Sequence, residues 1–184
     1  MSARTLGVFV DIDGVINALP DKGKGYETWE ADTWRTGSVY MEEFHEEVAL
    51  SWSTEVVERL LAIEAMPGTE MVWCTTWEHR AAEQFAPVVG LGADWRHVGP
   101  RRLMKDGRYD WWKANRVWEA REQYDRVLWM DDDIASWTNI LTMHGWDDSD
   151  WLWIADERTC GITPQSRRGL DLEDFENIND WLTS

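Results

Sequence analysis

Leu6-Gly7-Val8-Phe9-Val10-Asp11-Ile12-Asp13-Gly14-Val15-Ile16-Asn17 is an apolar run that stops on two aspartates one residue apart and a glycine. It reads as a buried strand that delivers carboxylates to the edge of a sheet. In open α/β folds ligands bind outside the carboxyl ends of parallel strands, so acidic groups placed there serve chemistry more readily than they serve the fold.

Downstream of that strand, strand signals alternate with helical ones, the pattern of a parallel sheet covered on both faces. The predicted strands are 6–11, 70–74, 94–98, 127–131 and 151–155. The predicted helices are 53–66, 78–90, 111–123, 134–145 and 172–182. The first helix opens with Ser53 or Thr54 ahead of Glu55, a capping pattern, and carries Val56, Leu60, Leu61 and Ala65 on one face. The stretch 18–52 differs: Gly23, Gly25 and Gly37 punctuate it, and the segments 39–42 and 48–52 suggest short strands. It reads as a hairpin flap over the site, so residues 1–184 are expected to form a single domain.

Composition fits that frame. A chain of 184 residues with 43% hydrophobic content and five prolines can bury a sizeable core. No stretch approaches the roughly 20 apolar residues of a membrane span, and no apolar leader precedes the first strand, which points to a cytoplasmic protein. Cys74 and Cys160 are too few for a disulfide framework and lack metal-ligand spacing, so reduced thiols are expected.

The formal net charge of −17 argues against stable non-specific binding to nucleic acid, which relies on Lys and Arg displacing counterions. One local exception runs from Arg96 to Lys113, where Arg96, Arg101, Arg102, Lys105, Arg108 and Lys113 face only Asp106 and Asp110. It reads equally as a solvated loop and as a substrate-facing patch. Of the 15 tryptophans, Trp73, Trp118, Trp129, Trp151 and Trp153 lie in apolar strands or at helical spacing and are expected in the core. Trp29, Trp34 and Trp77 have polar surroundings, and base stacking is their less common alternative.

Three further elements carry chemistry. Glu70-Met71-Val72-Trp73-Cys74-Thr75-Thr76-Trp77 is a strand closing on two hydroxyls, which can donate to a phosphoryl oxygen or cap the next helix. Lys113 stands at a helix start. Val127-Leu128-Trp129-Met130-Asp131-Asp132-Asp133 is another apolar strand ending in acids, and three adjacent carboxylates are costly unless a cation neutralises them.

Taken as a set, Asp-x-Asp on the first strand, Thr after the second, Lys at a helix start and an acidic cluster on the fourth strand resemble the haloacid dehalogenase (HAD) superfamily of phosphohydrolases. Its four motifs match Asp11/Asp13, Thr75, Lys113 and Asp131/Asp132, over residues 6 to about 155. Asp-Gly-Val-Ile-Asn at 13–17, Trp-Cys-Thr-Thr-Trp-Glu at 73–78, Trp-Met-Asp-Asp-Asp at 129–133 and Gly-Ile-Thr at 161–163 resemble more narrowly the HAD domains of "Swiss army knife" RNA-repair proteins. Phospho-receiver domains combine similar residue types, but their acceptor aspartate lies on the third strand. The resemblance implies a Rossmann-like three-layer α/β/α sandwich whose five parallel strands follow the order 5-4-1-2-3, with the hairpin as a minimal cap.

It also implies roles. Asp11 is the expected nucleophile, forming an aspartyl-phosphate, and Asp13 the general acid and base. Mg2+ is the expected cofactor, held by Asp11, the Asp13 backbone carbonyl and Asp132, with Asp131 binding a water or Lys113. Asp133 is left to cap the following helix. Thr75 and Lys113 are expected on the phosphoryl oxygens, with Thr76 and Lys105 as their respective rivals. Thr76, Arg80, Arg101 and Arg102 are the candidate substrate contacts, although Arg80 and its neighbour His79 read better as surface residues on a helix's first turn. The short insert leaves the site open, which favours a large substrate such as a phosphorylated polynucleotide end. The net charge favours a nucleotide or small metabolite phosphate, and a binding module that keeps the fold without its chemistry is the third reading.

Overall fold

Leu6, Val8 and Val10 face one side of strand β1 (Leu6–Val10) and Phe9 the other, and all four are buried. This period of two is what a central strand covered on both faces requires. A computed structural model describes residues 5–19, 28–42, 45–100, 111–143 and 152–184. Within it β1 lies at the centre of a five-stranded parallel sheet with β4 (Thr69–Cys74), β5 (Arg96–Val98), β6 (Arg126–Met130) and β7 (Thr159–Ile162), in the order β5-β4-β1-β6-β7. Counted as core strands alone, that is the predicted order 5-4-1-2-3.

The alternation repeats on β1's neighbours. Met71, Trp73, Leu128 and Met130 join one apolar cluster with α1 (Thr54–Glu64) and α5 (Leu172–Thr183). Val72, Cys74, Val127 and Trp129 join a second with α3 (Trp112–Ala120) and Ile134 of α4 (Ile134–Met143). The result is a three-layer α/β/α sandwich. On α1 the buried stripe is Val56, Val57, Leu60 and Ile63, while Leu61 and Ala65 turn outward, so the helical phase differs from the expected face. Residues 78–90 are less regular than one helix: a turn at 76–79 leads into a widened π-type turn, Ala81–Phe85, and then the short α2 (Ala86–Val89).

The fifth strand corrects the sequence reading. Residues 152–154 form a short 3-10 turn, and β7 begins only at Thr159. Gly161 explains the exchange: a Cβ there would lie 2.4 Å from Ile154 Cγ2. The apolar segment therefore packs over a strand that is made narrow enough to receive it.

Strands β2 (Trp34–Met41) and β3 (Glu46–Ser53) form the antiparallel hairpin, β2 beginning five residues earlier than expected and β3 longer at both ends, with His45 in the turn at φ 51°. Val39, Met41, Leu50 and Trp52 are buried in the same cluster as β1. Ser53, the last residue of β3, accepts the Glu55 N–H at 3.2 Å and caps α1, so the hairpin is anchored in the core at its base.

Trp73 and Trp129 are core residues, whereas Trp118 is 54% exposed, packed by Trp153 and the Arg121 guanidinium. Trp151 lies outside the described residues, and both cysteines are free. Among the described residues no helix is long and apolar enough to cross a membrane.

Candidate active site

The parallel registers of β1 with β4 and β6 set Val10 opposite both Trp73 and Met130. The residues that leave these strands, Asp11, Thr75 and Asp131, therefore emerge at one edge of the sheet. Their main chains are tied across it, the Asp11 N–H donating to the Met130 carbonyl at 3.0 Å and the Asp131 N–H to the Ile162 carbonyl at 3.1 Å.

Asp11 is 6% exposed, and its two oxygens are separately engaged. Oδ1 accepts the Ile12 N–H at 2.7 Å, and Oδ2 accepts from Lys113 Nζ at 2.5 Å. Thr75, fully buried, also hydrogen-bonds this carboxylate and receives the Trp77 N–H on its hydroxyl at 3.3 Å. Lys113 comes from the first turn of α3 and places Nζ 2.9 Å from Asp131 Oδ2 as well. One cation thus bridges two buried carboxylates.

Burial raises the Asp11 carboxyl above its ordinary range, against the pull of Lys113. Burial, then the Asp11 charge, pushes Asp131 up to about 7 despite Lys113. Burial opposes the charge on Lys113, but the two aspartates outweigh it and hold the ammonium above its usual value. Negative charge is in excess here, the condition in which carboxylate clusters bind a cation or a proton.

Asp132 completes the acidic group. Its carboxylate, raised by burial, is hydrogen-bonded by Ser166 from the turn after β7. It lies against Gly14, at φ +75°, where a Cβ would stand 2.3 Å from Asp132 Oδ2. One oxygen from each of Asp11, Asp131 and Asp132 falls within 4.8 Å of the others, the one such group of three or more potential ligands among the described residues. An all-oxygen, carboxylate-rich set suits a hard divalent cation such as Mg2+.

Asp13 is held differently. Its Oδ1 accepts from Asn17 Nδ2 at 2.8 Å and its Oδ2 from Trp77 Nε1 at 2.8 Å. Neither donor is charged.

A family model described as the HAD domain in Swiss Army Knife RNA repair proteins matches residues 7–175, which include every residue named in this site. The chain belongs to this family. No curated protein and no solved structure matches it.

In this HAD domain the sequence-predicted residues separate into three groups. Asp11, Thr75, Lys113, Asp131 and Asp132 come together, with Asp13 beside them on the loop after β1. Thr76 is exposed, whereas Thr75 turns its hydroxyl to Asp11. Arg80 is half-buried on the turn before Ala81 and His79 is exposed. Arg101, Arg102, Lys105 and Arg108 lie outside the described residues. The two other members of that basic stretch are committed to acids, Lys113 in the site and Arg96 to Glu70 at 2.5 Å. At the entrance to α4 the side chain that accepts a main-chain N–H belongs to Asp131, which receives the Asp133 N–H at 3.0 Å. Trp77, offered as a stacking platform, is instead 3% exposed, edge-on to Phe85, with its N–H on Asp13. Asn17 and Ser166 were not singled out by sequence. Asn17 stands in the quoted motif string, but only the fold shows where its amide points.

Proposed function

We propose that this HAD domain is a single catalytic unit, with 18–52 as a minimal cap, that hydrolyses phosphomonoesters with Mg2+ through an aspartyl-phosphate on Asp11. The observation that carries the reading is the buried Asp11 carboxylate set between the Ile12 N–H, Thr75 and Lys113. A scaffold gains nothing from gathering Asp11, Asp131 and Asp132 around one lysine, whereas phosphoryl transfer needs such a cluster.

Asp11, Asp131, Asp132 and the Asp13 carbonyl are the residues that would hold the metal. A bound Mg2+ supplies the positive charge that lets a carboxylate approach a phosphate dianion. The Asp11 oxygen forms a bond to phosphorus as the ester oxygen leaves, and Asp13 gives that oxygen its proton. Asp13, now a carboxylate, takes a proton from the water that attacks the phosphorus, and phosphate departs as Asp11 is restored. Lys113 and Thr75 bind the transferring oxygens and neutralise charge that builds on them.

The substrate class we infer is the terminal phosphate of a polynucleotide. Membership of a family described by RNA repair proteins supports it, as does the short insert after the first motif. The charge of −17 favours the rival reading, a nucleotide or metabolite phosphatase.

The test is phosphate release by wild type and Asp11→Asn, with magnesium or chelator. The substrates are a 3′-phosphorylated oligonucleotide, its 5′-phosphorylated counterpart, mononucleotides and an aryl phosphate. Release from an oligonucleotide end, lost in the variant and with chelator, is the expected result. Release confined to small esters would establish the rival, and none from any substrate would leave a binding module.

A further inference from the structure

Asp13 is the only member of the aspartate group whose described partners are both neutral N–H donors on side chains, Asn17 Nδ2 and Trp77 Nε1. Building on the proposed phosphatase chemistry, we infer that Trp77 and Asn17 are positioning residues that clamp the Asp13 carboxyl in the orientation from which it protonates the leaving oxygen.

The clamp is rigid on both sides. The Trp77 ring is 3% exposed and lies edge-on to Phe85 with centroids 5.5 Å apart, so its N–H has little freedom of direction. Asn17 is 1% exposed, and its own carbonyl oxygen accepts the Ser51 N–H of β3 at 2.9 Å. That bond fixes the amide's sense: the oxygen is taken by a main-chain donor, leaving the NH2 for Asp13. The Ala18 N–H in turn donates to the Ser51 carbonyl at 2.8 Å. The hairpin is therefore hydrogen-bonded through one residue into the loop that carries Asp13.

Each oxygen of the Asp13 carboxyl takes one side-chain N–H and retains a second lone pair for the travelling proton. Trp77 thus ties the second motif to the acid of the first, across 64 residues of chain.

The experiment is to compare Trp77→Phe with wild type on two esters, 4-nitrophenyl phosphate and an alkyl phosphate such as a nucleoside 3′-phosphate. Nitrophenolate leaves without a proton, whereas an alkoxide needs one, and general acid catalysis contributes about 10²–10⁴-fold to such steps. The variant is expected to lower kcat/KM for the alkyl ester at least about tenfold more than for the aryl ester, with Asn17→Ser changing the ratio in the same direction. Equal losses on both esters, or no loss on either, would overturn the inference while leaving the phosphatase reading standing. A wild type that releases phosphate neither from these esters nor from a phosphorylated oligonucleotide overturns both. Should Trp77→Phe fail to fold, 3-benzothienylalanine at position 77 keeps the bicyclic shape, removes only the N–H, and is read by the same ratio.

Discussion

Lys113 shows how much of this site depends on a single side chain. Its ammonium is the one described cation between the buried carboxylates of Asp11 and Asp131, at 2.5 and 2.9 Å. Removing one partner from a buried ion pair costs about 3–5 kcal/mol, because the remaining charge stays buried without compensation. Lys113→Met should therefore lower the unfolding free energy obtained from urea titration by an amount in that range at neutral pH, measured without added metal; an unchanged value would mean that the pair is solvated. Gly14 makes a second residue-scale case. Alanine at φ +75° costs roughly 1–2 kcal/mol of left-handed backbone, and its Cβ would press on Asp132 Oδ2 from 2.3 Å. Gly14→Ala should be modestly destabilised and should also lack the rise in melting temperature expected of the wild type with magnesium, since binding to the native state alone produces such a rise. Retention of the full magnesium shift would remove Asp132 from the ligand set.

At the scale of elements, what could be read in the sequence depended on whether an element's reason was local. Strands β1, β4 and β6 are contiguous apolar runs, and Asp11, Thr75 and Asp131 directly follow them, so strand and site residue are found together. Strand β7 is four residues, Thr-Cys-Gly-Ile, and its apolar neighbour at 151–155 outcompeted it as a strand signal because the fit of Ile154 over Gly161 is tertiary. Trp77 and Asn17 escaped for the same cause, since the direction of a donor is set by the ring or strand it packs against. A double-mutant cycle tests the β7 account: Gly161→Ala should cost about 1–3 kcal/mol by overpacking, Ile154→Ala about 2–5 kcal/mol by cavity formation, and the pair less than their sum. Helix α5 offers a pH test. Asp171 and Asp174 form its capping box, and burial raises the Asp174 carboxyl to about 6. A raised folded-state value means that the native state holds the proton more tightly, so this group's stabilisation is complete below its ordinary 3.8 and is lost as pH rises through about 6. Asp174→Asn keeps an oxygen for the Asp171 N–H without the charge; thermal melts should show it more stable than wild type at neutral pH and no more stable in acid.

For the molecule as a whole, charge sets two opposing expectations that salt can separate. The net −17 is long-range and solvent-exposed, so it is screened, whereas the Lys113 pairs are buried and are not. Going from about 10 mM to 200 mM KCl shortens the Debye length from about 30 Å to under 10 Å. Self-repulsion then weakens, and the melting temperature should rise. The same field acts on the proposed substrate. An ordinary polynucleotide-binding protein loses affinity with salt because its basic residues release counterions. Here two of the basic residues between 96 and 113 are already paired, Arg96 with Glu70 and Lys113 within the site, which leaves the acidic surface to dominate at a distance. The ratio of kcat/KM for a phosphorylated oligonucleotide to that for the matching mononucleotide should therefore rise with salt, as repulsion of the longer anion is screened more than that of the shorter. A ratio that falls would instead mean that the basic stretch outweighs the acidic surface and guides the strand to Asp11, a result that would strengthen the polynucleotide assignment while refuting this electrostatic account of it.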